Sequence, residues 1–100
     1  MPLFEVSTPL GFIVHTTADY WERLVIKHPD LADRLEEVKA TLSRPEQIRQ
    51  SRRDSAVLLF YRRALRHWVV AVAKRADDTA FLVTAYQTDA IKEGEQIWPR

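Results

Sequence analysis

The sequence predicts an α+β domain in which two N-terminal helices pack on a twisted antiparallel sheet, a meander of three main strands with an N-terminal hairpin and a candidate edge strand. Three observations carry that expectation. The runs Val57-Leu-Leu-Phe-Tyr-Arg, Trp68-Val-Val-Ala-Val-Ala-Lys and Phe81-Leu-Val-Thr-Ala-Tyr have the length and the β-branched, aromatic and aliphatic composition of strands. The connections Arg63-Ala-Leu-Arg-His and Arg75-Ala-Asp-Asp-Thr are polar and too short for a crossover helix, so each run turns back on its neighbour. Upstream, apolar residues recur at helical spacing in two stretches. One hundred residues suit a single domain, 1–100, with one modest core.

In chain order, Leu3-Phe-Glu-Val and Phe12-Ile-Val flank Ser7-Thr-Pro-Leu-Gly, whose proline and glycine mark a hairpin turn. Thr16 or Thr17 can cap a first helix through a hydroxyl oxygen that accepts from early amides, and Asp19 adds a favourable charge in its first turn. Trp21, Leu24, Val25 and His28 then form one helical stripe. Pro29 disfavours α geometry in the residue before it, so this helix stops around Lys27 and His28 projects from its carboxyl end. Asp30 starts a second helix with Leu31, Leu35, Val38 and Leu42 on one face, and Ser43-Arg-Pro ends it. The stretch Glu46 to Arg52 is compatible with a helical turn or a polar edge strand. A short strand Gln47 to Ser51 is the preferred reading, with Arg49 and Ser51 on one face and Ile48 in the core.

Period-two alternation sets Val57, Leu59 and Tyr61 opposite Leu58, Phe60 and Arg62. It sets Phe81, Val83 and Ala85 opposite Leu82, Thr84 and Tyr86, and it makes Lys74 close the row Trp68, Val70, Val72. Trp21, Phe60 and Trp68 read as core. The charged tail closes with Ile97 and Trp98, which are expected to pack back on the sheet.

Hydrophobic residues at 46% and charged residues at 29% are ordinary for a globular chain, and no apolar run approaches membrane-spanning length. The first residues lack a basic region followed by a long apolar one, so a cytoplasmic location is expected. Absence of cysteine excludes disulfides, thiolate metal sites and thiol nucleophiles. Three separated histidines give no zinc-binding spacing, and with only Gly11 and Gly94 there is no glycine-rich phosphate loop, so neither metal nor cofactor is expected. Ser51 lacks the glycines of a nucleophile elbow, and the adjacent acids Glu36-Glu37 and Asp77-Asp78 point apart in regular structure. Formal net charge is +1, but its distribution is uneven, because the stretch Arg44 to Arg75 is arginine-rich and the flanking stretches carry most of the acids.

One ordered set of short motifs covers nearly the whole chain: Thr8-Pro-Leu-Gly, Trp21, Lys27-His-Pro, Ile48-Arg-Gln-Ser, Leu59-Phe-Tyr-Arg, a strand ending in Lys74, Thr84-Ala-Tyr, Thr88-Asp, Gly94-Glu and Trp98. This set resembles the toxin- and phage-associated domains of the barnase, EndoU, colicin and RelE nuclease superfamily. The resemblance implies helices on an antiparallel sheet, metal-independent cleavage of RNA with tRNA as one candidate, and, for a toxin, a neutralising antitoxin or immunity protein. It puts His28, Ser51, Tyr61, Arg62, Thr84 and Tyr86 on motif positions.

Such cleavage needs a base for the 2′-hydroxyl, cationic donors for the phosphate and an acid for the leaving oxygen. His28 suits proton transfer, with Arg62, Thr84 and Tyr86 completing the expected catalytic set. Arg49, Ser51, Tyr61 and Lys74 are expected to bind substrate through cationic forks, hydroxyls and stacking. Arg49 and Lys74 enter on charge and strand position alone. Each residue also has a plainer role open to it. His28 can close a helix, Thr84-Ala-Tyr can be strand packing, and the arginines can form a solvated face. An RNA- or protein-binding module of the same fold, without catalysis, is the alternative.

Overall fold

A computed structural model describes residues 2–100. Its elements in order are β1 (Phe4–Ser7), β2 (Ile13–Thr16), α1 (Ala18–Lys27), a 3-10 turn (Pro29–Leu31), α2 (Leu35–Ser43), β3 (Gln47–Gln50), β4 (Val57–Ala64), β5 (His67–Ala76), β6 (Thr79–Thr88) and β7 (Glu95–Trp98). The α+β class holds. The sheet is larger than expected and it is mixed: among the described residues seven strands run in the order β1-β2-β6-β5-β4-β3-β7. The β1-β2 hairpin joins the meander through a parallel pairing of β2 with β6, and the remaining pairs are antiparallel. The expected edge strand β3 lies inside the sheet, because the charged tail forms β7 and pairs beyond it. Trp98 thus packs as the end of a strand, which a run of only four residues after Gly94 did not announce.

Local chemistry accounts for the helices. The Thr17 hydroxyl accepts from the Tyr20 amide at 3.2 Å, so Thr17 rather than Thr16 is the cap of α1. Helix α1 ends at Lys27, as Pro29 requires. Pro29 to Leu31 close only a 3-10 turn, and the second helix begins at Leu35, later than Asp30. The Thr8-Pro-Leu-Gly turn closes with the Thr8 hydroxyl and amide both donating to the Phe12 carbonyl at 3.0 Å.

The helices cover one face of the sheet. On that face Trp21, Leu24, Leu31, Val38 and Leu42 meet Ile48, Leu58, Phe60, Val69, Ala71, Leu82 and Ala85 in the main core. The opposite face holds a smaller cluster of Leu59, Tyr61, Val70 and Val72, flanked by Val57, Trp68, Val83, Tyr86 and Ile91. Trp68 therefore belongs to this second face and not to the main core. It packs edge-on to Tyr61 with Arg63 over its ring.

Alternation along β4 runs as the sequence predicts, but β6 contains a bulge. Val72 pairs with Thr84 and Ala73 with Leu82, leaving Val83 as an extra residue. Leu82 and Ala85 consequently share the helix-covered face, while Val83 and Tyr86 lie on the second one. Thr84 and Tyr86 keep a common face, whereas Val83 and Ala85 are parted. No helix among the described residues is long and apolar enough to cross a membrane.

Candidate functional site

Seen from the second face, strand register lines up three rows. Gln47, Tyr61, Val70 and Tyr86 form one; Arg49, Leu59, Val72 and Thr84 form the next; Ser51, Val57 and Lys74 lie beyond them. Six of the eight expected site residues, Arg49, Ser51, Tyr61, Lys74, Thr84 and Tyr86, thus share one face. Arg62 does not. It pairs with Val69, lines a cavity with Glu36, Glu37, Ala40 and Thr41 of α2, and donates from Nη1 to the Arg44 carbonyl at 2.8 Å. The sheet separates its guanidinium from Thr84 and Tyr86, so it leaves the expected catalytic set.

Residues 89–94 are the feature that sequence reading missed. They lead from β6 to β7 past three intervening strands, about 19 Å at ordinary strand spacing, so so short a segment has to cross the sheet directly. The crossing lies over the second face, where Ile91 packs on the Tyr61 cluster. Arg49 clamps it: Nε donates to the Glu93 carbonyl and Nη2 to the Gly94 carbonyl, both at 2.7 Å, while Nη1 donates to Gln47 Oε1 at 3.1 Å. The fork expected to hold phosphate is thereby engaged by backbone. Tyr61, only 1% exposed, lies beneath this strap and is not available to stack on a base. Arg49→Met should free the strap at a cost of about 1–2 kcal/mol, the worth of two hydrogen bonds to a charged donor near the surface, seen as faster amide exchange over 91–94.

Burial pushes the Tyr86 phenol well above its usual range, and the neighbouring Tyr61 hydroxyl and Glu93 carboxylate push the same way. Burial also raises Tyr61, with Glu93 adding to the shift, while the Tyr86 hydroxyl, Arg49 and the Glu93 amide pull against it. Both are neutral phenols around pH 7 and can donate hydrogen bonds, but neither is a general base there. Below about pH 10 the protonated Tyr86 suits folded and unfolded chains alike; above it the unfolded phenol ionises first, so stability falls as pH rises through the folded value. Tyr86→Phe should flatten this alkaline loss in denaturant midpoints measured from about pH 9 to 11.

Helix α1 and the 3-10 turn that follows it are each tied to β6. The Tyr20 hydroxyl donates to the Val83 carbonyl at 2.7 Å, and Gln87 Nε2 donates to Asp30 Oδ2 at 2.7 Å. The bulge and the departure of β2, which pairs only as far as Phe81, leave the Val83 carbonyl free for that bond. The turn that follows α1 is thus held level with Gln87 at the β6 edge. Helix α1 itself packs on the helix-covered face through Trp21 and Leu24, and Tyr86 lies on the second face, so the β6 edge stands between His28 and the Thr84-Tyr86 pair. His28 is half-buried there, its backbone amide bonded to the Leu24 carbonyl and its carbonyl to the Leu31 amide. Its ring makes no hydrogen bond among the described residues.

Lys74 is exposed and pairs with Asp54 at 3.2 Å, and the Ser51 hydroxyl accepts from the Arg53 amide at 3.2 Å. Hydrogen bonding from the Ala56 amide, and then Lys74, holds the Asp54 carboxyl below the usual carboxylate range. Among the described residues no three His, Asp or Glu side chains are grouped to hold a metal ion. Tyr20, Gln87 and Glu93 were not singled out by sequence, Asp30 only as the start of the second helix, and only the position of Gly94, one of two glycines, hinted at the strap. Comparison with protein-family models, with curated proteins and with solved structures finds no match for this chain.

Proposed function

We propose that this chain is a metal-independent endoribonuclease whose site runs along the β6 border of the second face, with His28 in proton transfer and Thr84 and Tyr86 as neutral donors to the phosphate. The observation that supports the reading is the pair of hydrogen bonds that hold Tyr20 of α1 and Asp30 of the turn after His28 on Val83 and Gln87, the residues that flank the Thr84-Ala-Tyr segment. A phenol held neutral serves as a donor to a developing phosphorane, and imidazole supplies the proton carrier that the scheme needs. Arg49 and Tyr61 hold the strap in this reading, and Lys74 contributes charge at the far end of the face. RNA is the substrate class and tRNA its first candidate. A chain used as a cytoplasmic toxin would be neutralised by an antitoxin or immunity protein that covers this face.

The test is incubation of total tRNA and a structured RNA with pure protein in EDTA, read on gels. Cleavage supports the enzyme; intact RNA overturns it. A second reading, an RNA- or protein-binding module without catalysis, is favoured by one observation, that the Arg49 fork is spent on the Glu93 and Gly94 carbonyls and leaves no arginine beside Thr84. Intact RNA together with salt-sensitive binding would establish that module.

A further inference from the structure

The turn after β3 and the end of the strap border an open cavity of about 360 Å³ lined by Ser51, Arg52, Arg53, Lys92, Glu93 and Gly94. The geometry points to this cavity as a phosphate-binding subsite that takes a backbone phosphate of an RNA strand lying across the second face. The inference rests on the RNA reading for its ligand, while the cavity itself stands on four observations.

First, the side chains of Arg52, Arg53 and Lys92 have no hydrogen-bond or ion-pair partner among the described residues, in contrast to Arg34, Lys39, Arg49, Arg62 and Lys74. Three cations that would repel one another are gathered around one concavity, and none of them is held by an ion pair. Second, Ser51 Oγ accepts from the Arg53 amide at 3.2 Å. That bond uses a lone pair and leaves the hydroxyl proton free to donate into the cavity. Third, Glu93 is the one carboxylate of the lining, and it lies near enough to Tyr61 and Tyr86 to disfavour their ionised forms. The lining therefore carries three positive charges against the single negative charge of Glu93. Fourth, the wall is closely fitted: a Cβ on Gly94 would stand 2.6 Å from the Gln50 carbonyl oxygen, so strap and β3 meet with no space between them.

Position fits the ligand. Ser51 begins the row that continues through Val57 to Lys74, at the opposite side of the face from β6. Three strand spacings, about 14 Å, separate β3 from β6, so one extended strand of RNA can touch the cavity and reach the Thr84-Tyr86 border.

The test separates the subsite from the cleavage reading by using ligands that cannot be cleaved. Amide spectra of the full chain are titrated with inorganic phosphate, and affinity for a 2′-O-methyl oligoribonucleotide is measured against salt. Phosphate should shift the Ser51, Arg53 and Gly94 amides first. The triple variant Arg52→Gln, Arg53→Gln, Lys92→Gln should bind the oligonucleotide at least tenfold more weakly and with a shallower salt dependence, at unchanged melting temperature. The exposed pair Arg23→Gln, Arg75→Gln should change affinity less than twofold. Equal losses from the two sets, or unchanged affinity in the triple variant, would overturn the subsite. Cleavage of ordinary RNA by a wild type that fails these binding tests would overturn the subsite alone and leave the nuclease standing.

Discussion

His28→Ala should lower the RNA cleavage rate by about 10²–10⁴-fold, the usual contribution of one positioned acid or base. The expectation follows from position along β6. Bonds at Val83 and Gln87 hold Tyr20 of α1 and Asp30 of the following turn on that strand, and the residues between them include Thr84 and Tyr86, the donors of the proposed site. Two companion measurements distinguish proton transfer from mere closure of a helix. Added imidazole should restore part of the rate to His28→Ala, because a small diffusible base replaces a proton carrier but not a structural group. Arg62→Gln should keep the rate within about threefold, because Arg62 reaches the Arg44 carbonyl on the helix-covered side. A full rate in His28→Ala, or the reverse pattern with Arg62 essential, would remove His28 from the mechanism. Tyr86→Phe completes the series with an expected loss of about tenfold or more, since one neutral hydrogen-bond donor to a developing charge is withdrawn.

Much of the meander was legible because its signals are local. Strand length, period-two alternation and the end of α1 before Pro29 depend on residues a few places apart, and β4 shows the predicted faces without exception. The failures are long-range. Nothing in Ile13-Val-His-Thr indicates that it pairs in parallel with β6, since a four-residue run looks the same in either direction. The bulge at Val83 is equally silent in the local pattern, although it decides which face Val83 and Ala85 occupy. Thr84 and Tyr86 stayed together only because both follow it. Arg62 was placed by motif position beside Tyr61, but neighbours in a strand point to opposite faces, and that alone separates it from the Tyr86 phenol. The strap shows the same limit from the other side. Arg49 was rightly put on the face opposite Ile48, yet its partners are carbonyls 44 and 45 positions later, which no composition or spacing announces.

Gly94→Ala should destabilise the fold by about 2–4 kcal/mol, the sum expected from a left-handed backbone that an L side chain resists and a contact that cannot relax cheaply. Gly94 has φ +77°, and an added Cβ would meet the Gln50 carbonyl oxygen at 2.6 Å and its carbon at 3.1 Å. Both atoms are backbone of β3, an inner strand paired with β4 and β7, so relief requires the strap or the strand pairing to shift. Gly11 supplies the comparison. Its φ is +88°, but nothing lies within 4 Å of its added Cβ, so Gly11→Ala should cost only the conformational part, about 1–2 kcal/mol. The difference between the two glycines isolates the packing of the strap against β3. If that packing also shapes the ligand face, Gly94→Ala at a temperature where it remains folded should lose amide protection over 91–94 and at Glu95 to Trp98. Equal stability losses for the two variants would show that the strap yields at Gly94, and that Arg49 and Ile91 hold it over Tyr61.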